Sequence, residues 1–456
     1  MGDLTPLFQP ESAAVYGASS GPSRKLGNTL LSNVAVSLPD VRCVHPTAES
    51  IDGFPATATL KSPVDLALIS VPARAAESAV LDAVTAGARA LVVLSSGFAE
   101  AGLEGRAVQE RIVDIARQHE VPLIGPNCMG VVSQLSGDRC LNASYFWEVP
   151  TGPGRLSFVS QSGAFGGMFL SFLGAKNLGL ARFVSLGNAP DVTVTDALRW
   201  LGDDDRTEVI GVFAEGIPNG RAFVEVAGDV TSRKPVVILK GGRSQAGARA
   251  AAGHTGSLAG DHRIYEAAFR RAGVLQVDSS VQFFDTLRSL SVVRRGLTAG
   301  RVAVVTVSGG PGVLAADAAD RSGLTLPTLT QQTQDRLRWL VPEFAAIGNP
   351  IDLTPQCRPE AMVDAVLAVY ESREVDGVVV INCGLDITEF GAAVADAVRR
   401  TGVPTTAFLL DVPKVIAEVS AVGVPCFDSP EAAVHGIAVA IVDRRGDSNS
   451  EMRRNR

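Results

Sequence analysis

The 456-residue chain has few of the features that mark secreted, membrane or metal-binding proteins. Its six cysteines are scattered and form neither a CxxC pair nor a metal-ligand spacing, which predicts reduced thiols and no metal site. No apolar stretch approaches the roughly 18 residues of a membrane helix. The start, MGDLTPLFQPES, has neither the basic segment nor the apolar run of a signal peptide. We therefore expect a soluble, cytoplasmic protein.

Positive charge and aromatic residues are also scarce. The net charge of −7 argues against a nucleic-acid partner, because binding to phosphate backbones needs a basic face. The one basic cluster, RRGDSNSEMRRNR at 444–456, is predicted to be a solvated, disordered terminus, with a small nucleic-acid arm as the alternative. Aromatic content is 5%, whereas alanine, valine and glycine are abundant, which favours tightly packed α/β layers.

Three segments of the chain begin alike, with a short apolar run, a turn of small residues and a helix-like stretch. They are SAAVYGASSG from Ser12, RLSFVSQSGAFGG from Arg155 and RVAVVTVSGGPG from Arg301. Further runs of strand length follow, such as VDLALISV, EVIGVF and VDGVVVIN. Apolar runs of four to eight residues that alternate with helical periods indicate parallel sheets wound with helices. We predict three open α/β domains in series.

The first small-residue turn predicts a site for an anionic ligand. Ligands of open parallel sheets collect at the carboxyl ends of the strands, where helix N-termini offer N–H groups to phosphates. The glycines at 17, 21 and 27 do not form GxGxxG, and the next run, VRCVHP, ends without an acidic residue, so an NAD site is disfavoured. A different nucleotide-containing ligand fits better, with Arg24 and Lys25 near its phosphates. A plain strand–turn–helix is the alternative.

The second turn, SQSGAFGG at 160–167, opens a helix after a strand. Gly163 allows close approach to the backbone, and Ser160 or Ser162 could cap the helix or contact a phosphate. A serine-hydrolase turn would read GxSxG, but Ser162 is preceded by Gln161, so that class is disfavoured.

His254 is a lone histidine among small residues, in RAAAGHTGSLAG. A lone histidine is more often structural, but here glycines flank it at 253 and 256 and a helix-like stretch begins at Ser257. A neutral histidine on such a turn can carry a phosphoryl group if an acceptor fixes its other ring nitrogen. Glu215, at the end of an apolar run in the same unit, is the carboxylate best placed for that role.

Together these motifs resemble the α subunit of the NDP-forming acyl-CoA synthetases, the ADP-forming acetate–CoA ligase group related to succinyl-CoA synthetase. The resemblance runs from about Leu7 to about Val442 and includes ten motifs in family order, among them YGASSGPSRKLGN, LIGPNCMGV, SQSGAFG and AAGHTGSLAGDH. It implies Rossmann-like and flavodoxin-like open parallel-sheet domains. These are a CoA-binding domain at 1–150, a succinyl-CoA-ligase-like domain with the phosphohistidine at 151–296, a third ligase-type domain at 297–444 and a tail at 445–456.

The resemblance also implies roles for individual residues. His254 matches the transiently phosphorylated histidine, Glu215 the carboxylate that orients it, and Ser160, Gln161, Ser162 and Gly163 the phosphoryl contacts. The implied CoA contacts run from the phosphates, along the pantetheine, to the thiol end: Gly17, Ser19, Ser20, Gly21, Val71, Pro72, Ser96, Gly97, Glu100, Asn127 and Cys128.

The implied reaction joins a small carboxylic acid to CoA at the expense of ATP, through phosphohistidine and an acyl phosphate. No ATP-grasp region and no GxxxxGK[ST] motif are found, so ATP, ADP and Mg²⁺ are expected on a separate ATP-grasp β subunit in a hetero-oligomer, for which α2β2 is one arrangement. The alternative is a catalytically silent CoA-binding regulatory or scaffold protein. Retention of His254, Glu215 and SQSGA together favours the enzyme.

Two positions depart from the family pattern. The chain has HPT at 45–47 where relatives often carry NPK, so a lysine contact to a CoA phosphate is missing. It also has Gly167 where the succinate-type enzymes carry a tyrosine. A glycine would leave more room, which gives the hypothesis of a monocarboxylate with a larger acyl or aryl group.

Overall fold

The computed structural model describes residues 2–20, 25–249, 261–293 and 300–441. The chain forms two compact units, Met1–Phe283 and Phe284–Arg456. In the described ranges no helix is long and apolar enough to cross a membrane. The predicted tail at 445–456 lies outside the described residues.

The first unit contains two sheets, and the first of them has seven strands. These are β1 (Ser12–Tyr16), β2 (Asp40–Val44), β3 (Ser50–Ile51), β4 (Phe54–Thr57), β5 (Leu66–Ile69), β6 (Ala90–Val93) and β7 (Leu123–Ile124). Their order is β3-β4-β2-β1-β5-β6-β7, and all neighbouring pairs except β3–β4 are parallel. The chain turns to opposite sides of β1, so the point where the topology switches lies between β1 and β5, where such sheets bind ligands.

The second sheet of the first unit also has seven strands. These are β8 (Gly130–Gln134), β9 (Cys140–Ser144), β10 (Pro153–Ser160), β11 (Leu180–Ser185), β12 (Val209–Ala214), β13 (Val236–Lys240) and β14 (Leu275–Val277). Their order is β14-β13-β12-β10-β11-β8-β9, with five parallel strands and an antiparallel hairpin, β8–β9, at one edge. The hairpin falls in the range predicted for the first domain but completes the second sheet. The boundaries of the three predicted domains stay a prediction.

Helices cover both sheets of the first unit. They are α1 (Thr5–Phe8), α2 (Leu26–Ala35), α3 (Ala73–Thr85), α4 (Leu103–Gln118), α5 (Gly163–Ala175), α6 (Val194–Asp203), α7 (Gly220–Thr231) and α8 (His262–Arg271), with a 3-10 turn at Ala99–Ala101 and helical residues at 245–249. The next helix, α9 (Ser280–Val292), contains the division between the two units.

The central strands are buried along most of their length, which is why the sequence shows them as continuous apolar runs. One hydrophobic cluster contains Val15 of β1, Leu68 of β5, Val131 of β8 and Ile210 of β12, all at or below 1% exposure. Both sheets of the first unit therefore share a core. This shared core is the physical reason that they form one compact unit.

A buried ion pair ties the edge hairpin to the second sheet. Arg182 of β11 donates from Nε and Nη2 to the two carboxylate oxygens of Asp204, at 3.1 and 3.0 Å, and from Nη1 to the hydroxyl of Ser133 in β8 at 2.6 Å. Burial acts to raise the pKa of Asp204, but hydrogen bonds from Arg182 and Thr207 outweigh it and lower that pKa. Removal of either partner of such a pair leaves an uncompensated buried charge, which strongly destabilises the fold.

The second unit holds one parallel sheet of five strands. These are β15 (Val302–Thr306), β16 (Ile351–Asp352), β17 (Gly377–Cys383), β18 (Thr405–Leu410) and β19 (Cys426–Phe427), in the order β16-β15-β17-β18-β19. Its helices are α10 (Gly309–Arg321), α11 (Gln331–Leu340), α12 (Pro359–Glu371), α13 (Thr388–Thr401), α14 (Pro413–Ser420) and α15 (Pro430–Ile441). The predicted α/β class, with three open and mainly parallel sheets, is confirmed.

Candidate functional site

A cavity of about 1290 Å³ lies in the first unit, at the carboxyl ends of strands from both sheets. It is lined by the turns after β1, β2, β5 and β6 and by the SQSG turn after β10. The volume exceeds that of most pockets for drug-sized ligands, which are about 300–1,000 Å³. The cavity therefore has room for an extended ligand.

Gly17 forms the cradle between β1 and β5. Its φ is +100°, and a Cβ at this position would lie 2.3 Å from the carbonyl oxygen of Ser70. Gly27 of α2 packs on the same turn, because its Cβ would lie 2.4 Å from the carbonyl carbon of Gly17. Glycine is therefore required here, and the close approach leaves the turn's backbone open to a ligand.

The structure brings most of the predicted CoA contacts to this one cavity. The lining includes Gly17, Ser19, Val71, Pro72, Ser96, Asn127 and Cys128. Ser20, Gly97 and Glu100 are described but are not part of the lining, and Gly21 lies outside the described residues, as does Arg24.

Glu100 lies beside the cavity and organises its wall. One carboxylate oxygen accepts hydrogen bonds from the N–H groups of Gly97 and Phe98, at 2.7 and 3.2 Å, and the other accepts one from the side chain of Asn188 at 2.6 Å. Burial acts to raise the pKa of Glu100, but these hydrogen bonds outweigh it and lower the pKa. The carboxylate is thus ionised and fully engaged, and it holds in place Asn188, which itself lines the cavity.

Cys128 is a neutral thiol in the cavity wall. Its Sγ lies 3.4 Å from the carbonyl oxygen of Val93. Burial raises its pKa to about 12, and a hydrogen bond from the Gly130 backbone lowers it only in part. At neutral pH almost no thiolate forms, so Cys128 is not an activated nucleophile. The neighbouring Asn127 donates a hydrogen bond from its side-chain amide to the side-chain oxygen of Asn188 at 3.3 Å.

His45, which sequence reasoning did not assign, also lines the cavity, and so does Lys25, which is predicted near the ligand's phosphates. His45 Nδ1 accepts hydrogen bonds from the N–H groups of Ala48 and Thr47, at 2.9 and 3.3 Å, which leaves the ring proton on Nε2 as a donor. His45 and Lys25 lie in the lining, and Lys25 is the one lysine or arginine among its described residues. His45 stands at the first position of HPT, so a donor is present although the family lysine is absent.

The SQSG turn forms the N-terminus of the 13-residue helix α5. Ser160 Oγ donates to the carbonyl of Ser162 at 2.7 Å, and Ser162 Oγ caps the helix by accepting from Phe165 N–H at 3.3 Å. Gln161, Ser162 and Gly163 line the cavity, whereas Ser160 is buried beneath them. The predicted phosphate turn and the predicted CoA turn therefore meet in one space.

Gln161 connects the SQSG turn to Glu215. Its Oε1 accepts hydrogen bonds from the N–H groups of Glu215 and Gly216, at 2.5 and 3.0 Å, and its Nε2 donates to the Gly216 carbonyl at 3.0 Å. Lys240 donates to the Glu215 carbonyl at 2.7 Å. Glu215 thus stands next to the SQSG turn, as the sequence motifs lead us to expect, but it is not part of the cavity lining.

His254 lies outside the described residues, so its pairing with Glu215 stays a prediction. The chain on either side of it is described. Arg243 Nε lies 3.1 Å from His262 Nε2, and Arg243 also pairs with Asp278 at 2.6 Å. The described ends of this segment are therefore held together by a direct side-chain contact.

The space beside Gly167 does not open into the cavity. A Cβ at Gly167 would lie 3.3 Å from the ring of Phe146, and Gly167 is not part of the lining. The ring of Phe146 fills the room that the glycine leaves. The hypothesis of a larger acyl pocket therefore gains no support from this position.

No group of three or more histidine, cysteine, aspartate or glutamate residues in the described part of the chain could hold a metal ion.

Three family models match successive parts of the chain. A CoA binding domain matches residues 11–134, a succinyl-CoA ligase like flavodoxin domain matches 153–290, and a ligase-CoA domain matches 302–417.

Similar proteins are found among curated sequences and solved structures. The ADP-forming acetate–CoA ligase II subunit alpha of Pyrococcus furiosus is 34% identical, over 96% of this chain and 97% of its own. The ADP-forming acetate–CoA ligase I of Archaeoglobus fulgidus is 37% identical over 95% of this chain, which spans 62% of that longer protein. The dinucleotide-forming acetyl-coenzyme A synthetase 1 of Ca. Korarchaeum cryptofilum, solved in complex with phosphate and ADP, is 33% identical, with a TM-score of 0.87 and coverage of 96% of both chains.

Proposed function

Because this chain belongs to the family of ADP-forming acetate–CoA ligase α subunits, we propose that it forms acyl-CoA from a carboxylic acid and CoA through a phosphohistidine at His254. One observation carries the proposal. The cradle at Gly17, the thiol end at Cys128 and the helix N-terminus at Gly163 line a single cavity, and Glu215 is fixed beside it.

In the proposed reaction the carboxylate must be activated before it can react with the thiol of CoA. A thiol does not displace an oxide ion from a carboxylate, so the oxygen must first become a good leaving group. In the first step, a carboxylate oxygen attacks phosphorus and the P–N bond to His254 breaks, which gives an acyl phosphate and a neutral imidazole. In the second, the CoA sulfur attacks the acyl carbon, the C–O bond breaks, and phosphate leaves as the thiol loses its proton to solvent.

The residues of this chain supply binding and orientation for these steps. The N–H of Gly163, at the start of α5, would face the negative charge of the phosphoryl group, and the helix dipole favours that charge. The N–H of Ser162 instead donates to Ser160 Oγ at 3.2 Å. In this proposal the Glu215 carboxylate accepts a hydrogen bond from one ring N–H of His254. The other ring nitrogen is then free to carry the phosphoryl group. Asn127 and Cys128 line the thiol end of CoA.

ATP, ADP and Mg²⁺ belong, in this proposal, to an ATP-grasp β subunit. Two observations support a partner. The Pyrococcus relative is named as an alpha subunit, and the longer Archaeoglobus relative has sequence beyond the region that this chain matches. The partner's ATP would phosphorylate His254, and the two chains would form a hetero-oligomer such as α2β2.

The requirement for a partner gives a direct assay of the proposed function. We expect no acid-dependent ADP release from this chain with ATP, Mg²⁺, CoA and a carboxylic acid, and steady release after addition of an ATP-grasp subunit. Omission of CoA or of the acid should stop it. Equal ADP release by the chain alone would contradict the division of labour, and none with any partner and acid would favour the silent scaffold.

The cavity with the Gly17 turn predicts that the chain binds CoA and does not bind NAD. A ligand at a hundred times its Kd stabilises the folded state by about 2.7 kcal/mol, so CoA should raise the melting temperature by several degrees. The measurement is a thermal shift of the isolated chain with each ligand at equal concentration. A shift with NAD and none with CoA would overturn the ligand assignment.

A further inference from the structure

Lys240 is a buried cation whose place in the reaction the motifs do not indicate. It is the last residue of β13 and is 4% exposed. Its ammonium donates to the carbonyl oxygens of Glu215, at 2.7 Å, and Gly241, and lies 4.8 Å from the ring centre of Tyr265. Burial lowers the pKa of Lys240, and the negative charge of Glu215 acts in the opposite direction. A buried ammonium is costly for folding, so its position calls for a reason.

The backbone at Glu215 is held from both sides. Strand β12 ends one residue before Glu215, and its two neighbours in the sheet are β10 and β13. From the β10 side, Gln161 Oε1 accepts hydrogen bonds from the N–H groups of Glu215 and Gly216. From the β13 side, the Lys240 ammonium donates a hydrogen bond to the carbonyl oxygen of Glu215. Both peptide groups that flank the Glu215 Cα are thus fixed by side chains, and the direction in which its side chain leaves the backbone is set.

A third element completes this arrangement. The ring of Tyr265, in α8, lies over the Lys240 ammonium. The hydroxyl of Tyr265 accepts a hydrogen bond from the N–H of Ile217, with a distance of 3.4 Å between nitrogen and oxygen. The attraction between a cation and an aromatic ring is stronger where the pair is shielded from water. The helix that follows the predicted phosphohistidine segment is therefore connected to the turn that carries Glu215.

We propose that Lys240, together with Gln161, is a positioning residue for phosphoryl transfer at this site and acts through Glu215. The inference rests on the proposed function, since that function names the reaction that the Glu215 carboxylate serves. It also changes the role of Gln161, whose side-chain amide is engaged by the Glu215–Gly216 turn and not directed at a phosphoryl group. A cation at Lys240 fits this role, because its positive field favours negative charge on a nearby phosphoryl group.

The chain offers a matched control at the other end of the same strand. Lys234 precedes β13, and its ammonium also donates to two backbone carbonyls, those of Leu201 at 3.0 Å and Asp204 at 2.7 Å. Burial lowers the pKa of Lys234 as well. Lys234→Met therefore removes the same kind of contact far from Glu215, and the general cost of losing a lysine that donates to backbone carbonyls appears in it.

The experiment compares Lys240→Met and Lys234→Met with the wild-type chain in phosphorylation by acyl-CoA and inorganic phosphate. We expect Lys240→Met to lower the maximal rate by at least about tenfold, because misplacement of a catalytic group has effects of this size or larger. Its KM for acyl-CoA should stay unchanged. Lys234→Met should keep the wild-type rate. Urea unfolding of both variants measures the stability lost in each.

Hydrogen exchange supplies a readout that does not depend on turnover. The amides of Glu215 and Gly216 should exchange faster in Lys240→Met than in the wild type or Lys234→Met. Wild-type rate and exchange in Lys240→Met would overturn the proposal, and so would equal losses of rate in both variants. A wild-type chain that takes up no phosphate under any condition would instead refute the proposed function, and the catalytic role of Lys240 with it.

Discussion

The wild-type chain, incubated with acyl-CoA and inorganic phosphate, is expected to gain one acid-labile phosphoryl group, and His254→Ala is expected to gain none. Phosphate releases CoA from the thioester to give an acyl phosphate, and the imidazole nitrogen then attacks phosphorus while the carboxylate leaves. Without that nitrogen the second step has no acceptor. The loss should reach at least about three orders of magnitude, and intact mass spectrometry at neutral pH measures it.

His119→Ala is a suitable control for this prediction. His119 is a surface residue at the end of α4, and its Nδ1 contacts the carbonyl of Ile115 at 2.9 Å. This variant should label like the wild type. An equal label in His254→Ala would place the phosphoryl group elsewhere and refute the phosphohistidine assignment.

Glu215→Gln is expected to produce the second-largest loss, a fall of about 10²–10⁴ in the rate of phosphorylation. The substitution keeps the shape of the side chain and the backbone contacts with Gln161 and Lys240, but it removes the negative charge that would hold the histidine in the reactive tautomer. A factor of this size corresponds to about 3–5 kcal/mol of the barrier. Single-turnover labelling, followed by rapid quench in base, measures the rate.

Glu208→Gln is the matched control, because Glu208 precedes β12 whereas Glu215 follows it. Glu208 forms a surface ion pair with Arg155 at the opposite end of the strands. Loss of such an exposed pair costs little stability, about 0–1 kcal/mol. Comparable rates in the two variants would show that Glu215 has no special part in the transfer.

Much of the fold can be read from the sequence, because buried parallel strands leave continuous apolar runs. VDLALISV and EVIGVF both coincide with strands, β5 and β12. The shared core of the first unit is harder to predict. The hairpin β8–β9 follows the first-sheet strands directly along the chain yet pairs with β11, and no local pattern states which sheet a hairpin will join.

Site residues that belong to recognisable motifs can be predicted from the sequence. Residues whose side chains act by hydrogen bonding to the backbone cannot. Gly17 and Gly163 stand out as glycines in turns. Lys240, by contrast, is a lysine at a strand end, which in a sequence looks like an ordinary solvated charge. Glu100 is a predicted CoA contact, and the sequence does not reveal that its carboxylate binds main-chain N–H groups and Asn188. Such contacts depend on three-dimensional neighbours that the sequence order does not reveal.

The core shared by the two sheets of the first unit bears on how a labile intermediate survives. An acyl phosphate is a mixed anhydride that water destroys, and each molecule lost to water wastes one ATP. Since Val15 and Ile210 belong to the same hydrophobic cluster, the sheets that carry the Gly17 turn and the α5 N-terminus are packed as one solid body. The distance between these two turns is then set by the interior packing. In the proposed reaction the anhydride would be formed and consumed within one cavity, so the yield of thioester per ATP would be protected by residues that never touch either reactant.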